Sequence, residues 1–136
     1  MITQKYLDDL TYEVVGAAIQ VHKELGRGLL ESAYHECLKI ELNHRKIEYI
    51  TEFKVPLIYK GQKVNVDFRC DLFVNNCLVV ELKAVNEMHP IFEAQLLTYM
   101  KLLKAPKGII INFNCSNIFY EGQKTFINEY FDQLIL

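Results

Sequence analysis

The sequence predicts an α/β fold, and three kinds of segment predict it. Apolar residues recur at helical spacing near the N-terminus, from about residue 5 to residue 25. Apolar and polar residues alternate over 62–74, which is typical of a half-buried strand with one polar face. A wholly apolar run, 108–111, is typical of a buried strand. We expect these segments to belong to one domain spanning 1–136.

The N-terminal elements follow from these periods and from their stop signals. The first helix is expected to end at Gly26, because glycine is the usual helix stop, and a second helix is expected over about 30–45. Residues 49–59 are rich in β-branched and aromatic side chains and precede a Lys60-Gly61 turn. This pattern predicts a hairpin.

The alternating strand over 62–74 comes next and ends at an Asn75-Asn76 turn. A further strand is expected over 77–84, and a third helix from Pro90 to about 103. A strand at 108–111, a short strand near 118–120 and a helix from about Thr125 complete the predicted order α-α-β-β-β-α-β-β-α. The alternation predicts one apolar face formed by Val64, Val66, Phe68, Cys70, Leu72 and Val74, and one polar face formed by Asn65, Asp67, Arg69 and Asp71.

Composition restricts the classes of function. The chain has 15 basic and 17 acidic residues, a net charge of −2, which is not typical of a basic nucleic-acid-binding domain. Any contact with nucleic acid must therefore rest on a local patch. No segment approaches the ~20 apolar residues of a membrane span, and the N-terminus lacks the apolar region of a signal peptide. We expect a cytoplasmic protein with no membrane partner.

The cysteines and histidines do not show the spacing of a metal site. The four cysteines are scattered singly, so we expect buried thiols rather than a zinc or iron–sulfur site. The four histidines show neither HxxxH nor HExxH spacing. The sequence contains no GxGxxG, Walker A or GxSxG motif, so nucleotide binding and serine-hydrolase activity are not indicated.

The segment Glu81-Leu82-Lys83 offers the clearest chemistry. Residues two apart on a strand share a face, so Glu81 and Lys83 are expected side by side. They form either a surface ion pair worth under about 1 kcal/mol or half of a metal-dependent phosphodiesterase site. Asp71 would supply a second carboxylate, and two carboxylates repel unless a cation or a proton lies between them. Mg²⁺, which binds one or two carboxylates together with waters and phosphate oxygens, is the natural candidate.

The length of the loop between the two strands decides whether the carboxylates meet. A two-residue Asn75-Asn76 turn would place Glu81 opposite Cys70, on the wrong face of the sheet. A three-residue loop, or a bulge, would place Asp71 and Glu81 on one face. The site therefore requires an odd loop or a bulge.

Glu31 lies on the helix stripe that is expected to pack inward, in line with Tyr34, Leu38 and Leu42. A carboxylate there is costly to bury unless something pairs with it. It is alternatively a first-turn glutamate favoured by the helix dipole.

Gln95 and Tyr99 are four residues apart on the third helix and share a face. Their polar ends are expected to orient Lys83 or to contact a phosphate. The alternative is a half-buried amide and phenol with local partners. Asp67 and Arg69, on the polar face of Asp71, are expected to be surface charges.

Taken together, these residues resemble the GxxExxY protein family. Gly28, Glu31 and Tyr34 match its signature. The remaining motifs follow in that family's order over about residues 12–114, namely Arg69-Cys-Asp71, Glu81-Leu-Lys83-Ala, Glu93-Ala-Gln95-Leu-Leu-Thr-Tyr99 and Gly108-Ile-Ile-Ile-Asn112-Phe113.

The resemblance implies membership of the PD-(D/E)xK superfamily, with its restriction-endonuclease-like αβββαβ core and a mixed sheet flanked by helices. It implies that Asp71 and Glu81 bind the metal, that Lys83 is the catalytic lysine and that Glu31 is the helix acid. Gln95 and Tyr99 match the QxxxY motif of RecB-like nucleases. Cys70 stands where the superfamily motif has proline, and the RecB-like iron–sulfur cysteines have no counterpart here.

Our first hypothesis is a nuclease that uses Mg²⁺ or Mn²⁺ to hydrolyse DNA phosphodiester bonds. Asp71, Glu81 and the Leu82 carbonyl would hold the metal, with Glu31 helping directly or through water. The alternative is a catalytically inactive nuclease-like module that binds nucleic acid or a protein partner, and a third is a protein that works through oligomer contacts. A homo-oligomer or a larger nucleic-acid-processing complex is compatible with either of the first two. The expected catalytic residues are Glu31, Asp71, Glu81, Lys83, Gln95 and Tyr99.

Overall fold

Two helices, α1 (Gln4–Leu25) and α2 (Glu31–His44), come first in the computed structural model, which describes residues 1–136. The Thr3 side chain caps α1 by accepting a hydrogen bond from the backbone N–H of Tyr6. The helix ends at Gly26, whose φ is 69°. Both predicted helices are confirmed, with bounds that differ by one residue at most.

Five strands form one mixed sheet in the order β1-β4-β5-β6-β7. Only β5 and β6 run parallel, and helix α3 (Pro90–Leu103) connects them. The predicted α/β fold is confirmed, because α2, β1, β4, β5, α3 and β6 follow the αβββαβ order. The strands of this sheet are β1 (Tyr49–Val55), β4 (Phe68–Val74), β5 (Leu78–Lys83), β6 (Lys107–Asn112) and β7 (Gln123–Ile127).

Helices cover both faces of the sheet. On one face, α1 and α2 pack over Leu72, Val80 and Leu82. On the other face, α3 packs over Val79 and its neighbours. A Cβ at Gly108 would come within 2.7 Å of the Met100 Sδ atom, so glycine at this position lets α3 approach β6 closely.

The C-terminal part of the chain differs from the sequence prediction. Residues 118–120 form no strand, because Ile118–Gly122 is a π-helical turn. The helix expected from Thr125 is wrong as well, since that residue lies in β7 and pairs with Ile109 of β6. The open edge of β6 recruits this segment through long-range pairing that local propensity does not reveal. A single helical turn, α4 (Glu129–Asp132), follows.

The alternating segment 62–74 also divides differently. A separate two-stranded hairpin, β2 (Ile58–Tyr59) with β3 (Gln62–Lys63), turns at Lys60-Gly61, and β4 begins only at Phe68. Cys70 packs on the α3 side of the sheet, whereas Leu72 packs under α1 and α2, so the single apolar face expected for them is wrong.

The change of face between Cys70 and Leu72 of β4 coincides with an irregular residue, Glu52, on the neighbouring strand β1. Its φ is 51°, and it falls between the pairs Thr51–Leu72 and Phe53–Cys70. A left-handed residue inside a strand disturbs the pleat, so side chains on either side no longer alternate simply.

The four cysteines are free thiols; three are buried, as expected, and Cys37 is half-buried. Burial raises the pKa of the Cys70 thiol to about 12. No helix of the protein has both the length and the apolar character needed to span a membrane.

Candidate active site

The turn between β4 and β5 has the odd length that the site requires. Three residues, Asn75, Asn76 and Cys77, separate the paired ends of the two strands. The two asparagines adopt positive φ angles of 46° and 55°, which asparagine tolerates better than most residues. The register that pairs Leu72 with Val80 places Asp71 opposite Glu81.

At this pair, carboxylates accept the hydrogen bonds of the backbone. The Asp71 N–H donates to Glu81 Oε2 at 3.0 Å, and the Leu82 N–H donates to Asp71 Oδ2 at 2.7 Å. Each carboxylate is therefore held against the opposite strand. The reciprocal bonds fix the two acidic side chains close together where the β4–β5 ladder ends.

Burial makes this pair electrostatically unusual. Glu81 is only 5% exposed and Asp71 is half-buried. Burial, and secondly the negative charge of Asp71, raises the pKa of Glu81 to about 9. Burial therefore favours the protonated form of Glu81 when no cation is bound.

Lys83 does not neutralise these acids by direct contact. No salt bridge of the protein includes Asp71, Glu81 or Lys83, so the interpretation of Glu81 and Lys83 as a surface ion pair is wrong. The Lys83 Nζ atom instead lies 4.3 Å from the centroid of the Phe92 ring on α3. A cation–π contact thus holds the Lys83 ammonium group in place, and no carboxylate pairs with it.

The chain just after Lys83 is fixed by Asn112, its neighbour in the parallel ladder. The Asn112 side chain accepts from the Val85 N–H at 3.1 Å and donates to the Val85 carbonyl at 3.0 Å. Sequence reasoning did not assign Asn112 a role at the site. The sequence feature that could have indicated it is the position of Asn112, a polar residue directly after the apolar run 108–111.

Gln95 and Tyr99 lie together on α3, the helix that covers the face of Glu81. The Gln95 Nε2 atom donates to the Tyr99 hydroxyl at 3.2 Å. Tyr99 is 6% exposed, and burial followed by the charge of Glu81 raises its pKa. The predicted shared face is present, but the two side chains bond to each other and make no hydrogen bond to Lys83.

Glu31 makes no hydrogen bond to the carboxylate pair, although the charge of Asp71 reaches it. Tyr34, Leu38 and Leu42 are buried as expected, but Glu31 is exposed because α2 begins at this residue. Partial desolvation, followed by the charge of Asp71, raises the pKa of Glu31. No three acid, histidine or cysteine side chains converge closely enough to enclose a metal ion.

The start of α2 is held in place by Gly28 and Tyr34. Gly28 has a φ of 102°, which only glycine adopts easily. The Tyr34 hydroxyl donates to the Gly26 carbonyl at 2.7 Å and accepts from the Leu29 N–H at 3.2 Å. The Tyr34 ring stacks on Phe113 at 4.5 Å. Gly28 and Tyr34 therefore fix the loop that leads into α2, whose first residue is Glu31.

Two further side chains near the site were missed by sequence reasoning. His35, one turn after Glu31, has its Nδ1 atom 3.9 Å from Glu52 Oε1, while its buried Nε2 atom has no hydrogen-bond partner. Both groups influence the pKa of Glu31. The i, i+4 spacing from Glu31 was a signal for His35. No signal existed for Glu52, whose position depends on its positive φ.

The donor set where the β4–β5 pairing ends suits a hard divalent cation. It contains two adjacent carboxylates, Asp71 and Glu81, that form no salt bridge. Mg²⁺ binds proteins through one or two carboxylates and completes its shell with water and phosphate oxygens. Two protein carboxylates therefore suffice for such an ion.

Comparison with known proteins agrees with this architecture. A family model described as the PD-(D/E)XK nuclease superfamily matches residues 8–125, a range that contains all six residues expected at the site. No curated protein and no solved structure matches the chain significantly. Because the match covers most of the sequence, the chain belongs to the PD-(D/E)XK nuclease superfamily.

Proposed function

We propose that the protein is a nuclease that uses Mg²⁺ or Mn²⁺ to hydrolyse DNA phosphodiester bonds. One observation carries the proposal: Glu81 is buried opposite Asp71 with no cationic partner, beside a lysine that forms no salt bridge. Burying two acids together is costly unless a cation or proton compensates them. Members of the superfamily generally use divalent metal ions, which supports a cation in this role.

Asp71, Glu81 and the Leu82 carbonyl would hold the ion, and Glu31 would assist directly or through water. A bound divalent ion supplies Lewis acidity to a phosphate oxygen and compensates charge in the transition state. The hydrogen bonds from the Asp71 N–H to Glu81 and from the Leu82 N–H to Asp71 hold both carboxylates in place, so little reorganisation is needed on binding.

Lys83 would orient the attacking water and stabilise the charge that grows on the phosphoryl oxygens. Its ammonium group lies beside the acids and is held by the Phe92 ring. Gln95 is exposed, so its amide can donate to a phosphate oxygen. The Tyr99 hydroxyl accepts a hydrogen bond from the same amide and orients it. Gln95 and Tyr99 thus position substrate on the α3 side of the site.

A cleavage assay tests the proposal. The wild type is incubated with single- and double-stranded DNA and RNA in the presence of Mg²⁺, Mn²⁺ or EDTA. We expect cleavage of DNA that requires the divalent ion and is lost in Asp71→Asn and Lys83→Ala. Lys101→Ala, an exposed lysine on α3 that forms no salt bridge, is the matched control and should cleave normally. Absence of cleavage on every substrate, or equal cleavage by Lys83→Ala, would refute nuclease activity.

The second candidate is a nuclease-like module that binds nucleic acid or a protein without cleaving it. Glu31 favours it, since this acid does not converge with Asp71 and Glu81 into a three-ligand site. Binding of nucleic acid without cleavage under any divalent ion would support this candidate. Under either candidate, we propose that residues 1–136 act as one domain in the cytoplasm, alone, as a homo-oligomer or within a nucleic-acid-processing complex.

A further inference from the structure

One segment beside the candidate active site carries net positive charge although the protein is acidic overall. Residues 54–69, here named the basic arm, contain four basic residues and one acid, a net charge of +3 in a chain whose overall charge is −2. All four basic side chains are exposed. Arg69 pairs with Asp67 at 2.9 Å, whereas the three lysines form no salt bridge. The lysines of the basic arm are Lys54, Lys60 and Lys63.

The centre of the basic arm is a hairpin that is not part of the five-stranded sheet. Its strands β2 and β3 pair with each other and with no strand of the five-stranded sheet. Every residue over 58–63 is exposed. Neither of these strands is therefore needed to complete the core.

Both ends of the basic arm are anchored beside the candidate active site. Val55 is fully buried in the cluster that contains Tyr99. At the other end, the Phe68 ring lies 6.3 Å from the Tyr99 ring, and β4 reaches Asp71 three residues later. The arm therefore joins the sheet close to the carboxylate pair.

The tip of the arm presents an aromatic ring to solvent. Tyr59 is 63% exposed, and the Lys60 Nζ atom lies 5.5 Å from its ring centroid. An exposed ring combined with free ammonium groups is the surface that unpaired nucleic acid requires, because bases stack on the ring while phosphates meet the cations. A base inside a duplex offers no free face to such a ring.

We infer that the basic arm binds a single-stranded stretch of nucleic acid and leads it to the Asp71–Glu81 pair. This inference rests on the proposed function, since it names the substrate form that the same site receives. Tyr59 stacks against a base, and Lys60 and Lys63 contact flanking phosphates. A preference for duplex, or for an acidic protein partner, would be a different outcome of the test.

Fluorescence anisotropy with labelled single-stranded DNA, single-stranded RNA and duplex DNA tests the arm directly. Binding is measured in EDTA over a range of KCl concentrations, so that cleavage does not interfere. We expect Tyr59→Ala to weaken single-strand binding about 5- to 150-fold, and Tyr59→Phe to retain it, since stacking needs only the ring. The double variant Lys60→Gln/Lys63→Gln should lower the slope of log affinity against log salt by about 1.4, because each phosphate contact on a single strand contributes about 0.7.

A matched control separates the arm from general charge. Lys101→Gln/Lys104→Gln removes two exposed lysines near the C-terminal end of α3, which form no salt bridge, and should leave both affinity and salt slope unchanged. Thermal melting of each variant confirms that it folds. Wild-type affinity and slope in Lys60→Gln/Lys63→Gln would overturn the inference, as would equal binding of duplex and single strand by both wild type and Tyr59→Ala.

The outcome for the arm is independent of the outcome for catalysis. Arm-dependent binding without cleavage would leave the arm standing and refute the nuclease. Cleavage that is unaffected by the arm variants, together with unchanged binding, would refute the arm alone.

Discussion

Two lysines on neighbouring parallel strands are treated in opposite ways. Lys107, at the start of β6, is almost fully buried, and its Nζ atom lies 2.8 Å from Asp8 Oδ1. Lys83, at the end of β5, has Asp71 and Glu81 nearby on β4 and β5 but forms no salt bridge. Each ammonium group lies near a phenylalanine ring, so the missing carboxylate is the main difference between them.

The presence or absence of a salt bridge distinguishes Lys107, whose charge is neutralised by Asp8, from Lys83, whose charge is free to interact with a substrate. A lysine buried for structural reasons is paired, because an unpaired buried charge is costly. Lys83 is only half-buried and forms no salt bridge, while burial raises the pKa of the neighbouring Glu81. A buried acid with a raised pKa beside an unpaired lysine is typical of reaction centres.

The largest expected effect is on turnover in Lys83→Ala. Removing a group that orients the nucleophile and stabilises transition-state charge typically costs about 10²- to 10⁴-fold in rate. The Tm should change little, since no ion pair is lost. Steady-state cleavage and thermal melting of the same preparations measure both quantities. If Lys83→Ala kept turnover within a few-fold of the wild type, Lys83 would be a structural residue, as Lys107 is.

The second effect is a pH dependence of stability caused by Glu81. Burial, then the charge of Asp71, raises the pKa of this acid from 4.5 to about 9 in the folded state. Because the folded protein binds the proton more tightly than the unfolded chain does, the stabilisation is complete below pH 4.5 and is lost as pH rises toward 9. Urea unfolding without divalent ions should show this loss in the wild type and not in Glu81→Gln. The same pH profile in both proteins would contradict the assignment.

Asp8→Asn tests the structural half of the comparison. The substitution leaves the buried Lys107 ammonium without its negative partner, and we expect the free energy of unfolding to fall by about 1–3 kcal/mol. Turnover per folded molecule should stay at the wild-type value. A loss of turnover with unchanged stability would show that the two lysines do not divide their roles in this way.

The smallest effect is expected from the rings beneath the two lysines. Phe92→Leu removes a cation–π contact worth about 0.5–1 kcal/mol and should lower turnover about 2- to 5-fold by loosening Lys83. Phe131→Leu removes the ring near Lys107 and should lower stability alone. Parallel kinetics and melting of the two variants measure this contrast. Equal turnover in both would mean that Phe92 does not position Lys83.

The sequence predicted the layers of the fold well because period and glycine stops are local signals. It predicted that the carboxylates depend on an odd loop, but not that Cys77 would be the third loop residue. Thr125 was assigned to a helix because its pairing with Ile109 is a contact between distant parts of the chain.

The site was only partly predictable for the same reason. Spacing alone placed Asp71 and Glu81 on one face of the sheet once the loop was odd, and placed Gln95 and Tyr99 on one face of α3. The exposure of Glu31 depends on where α2 starts, which is set by the Gly28 and Tyr34 contacts. The cation–π contact of Lys83 and the approach of Glu52 arise from tertiary packing and from a positive φ that no local pattern indicates.

Calorimetric titration of Mg²⁺ tests the central claim, that Asp71 and Glu81 form the metal site. The titration uses wild type, Asp71→Asn and the control Asp8→Asn, at neutral pH in buffers of different ionisation enthalpy. Wild type and Asp8→Asn should bind the ion and release a proton as Glu81 ionises, while Asp71→Asn should lose the binding. Equal heats in wild type and Asp71→Asn, or no binding by wild type, would contradict the account.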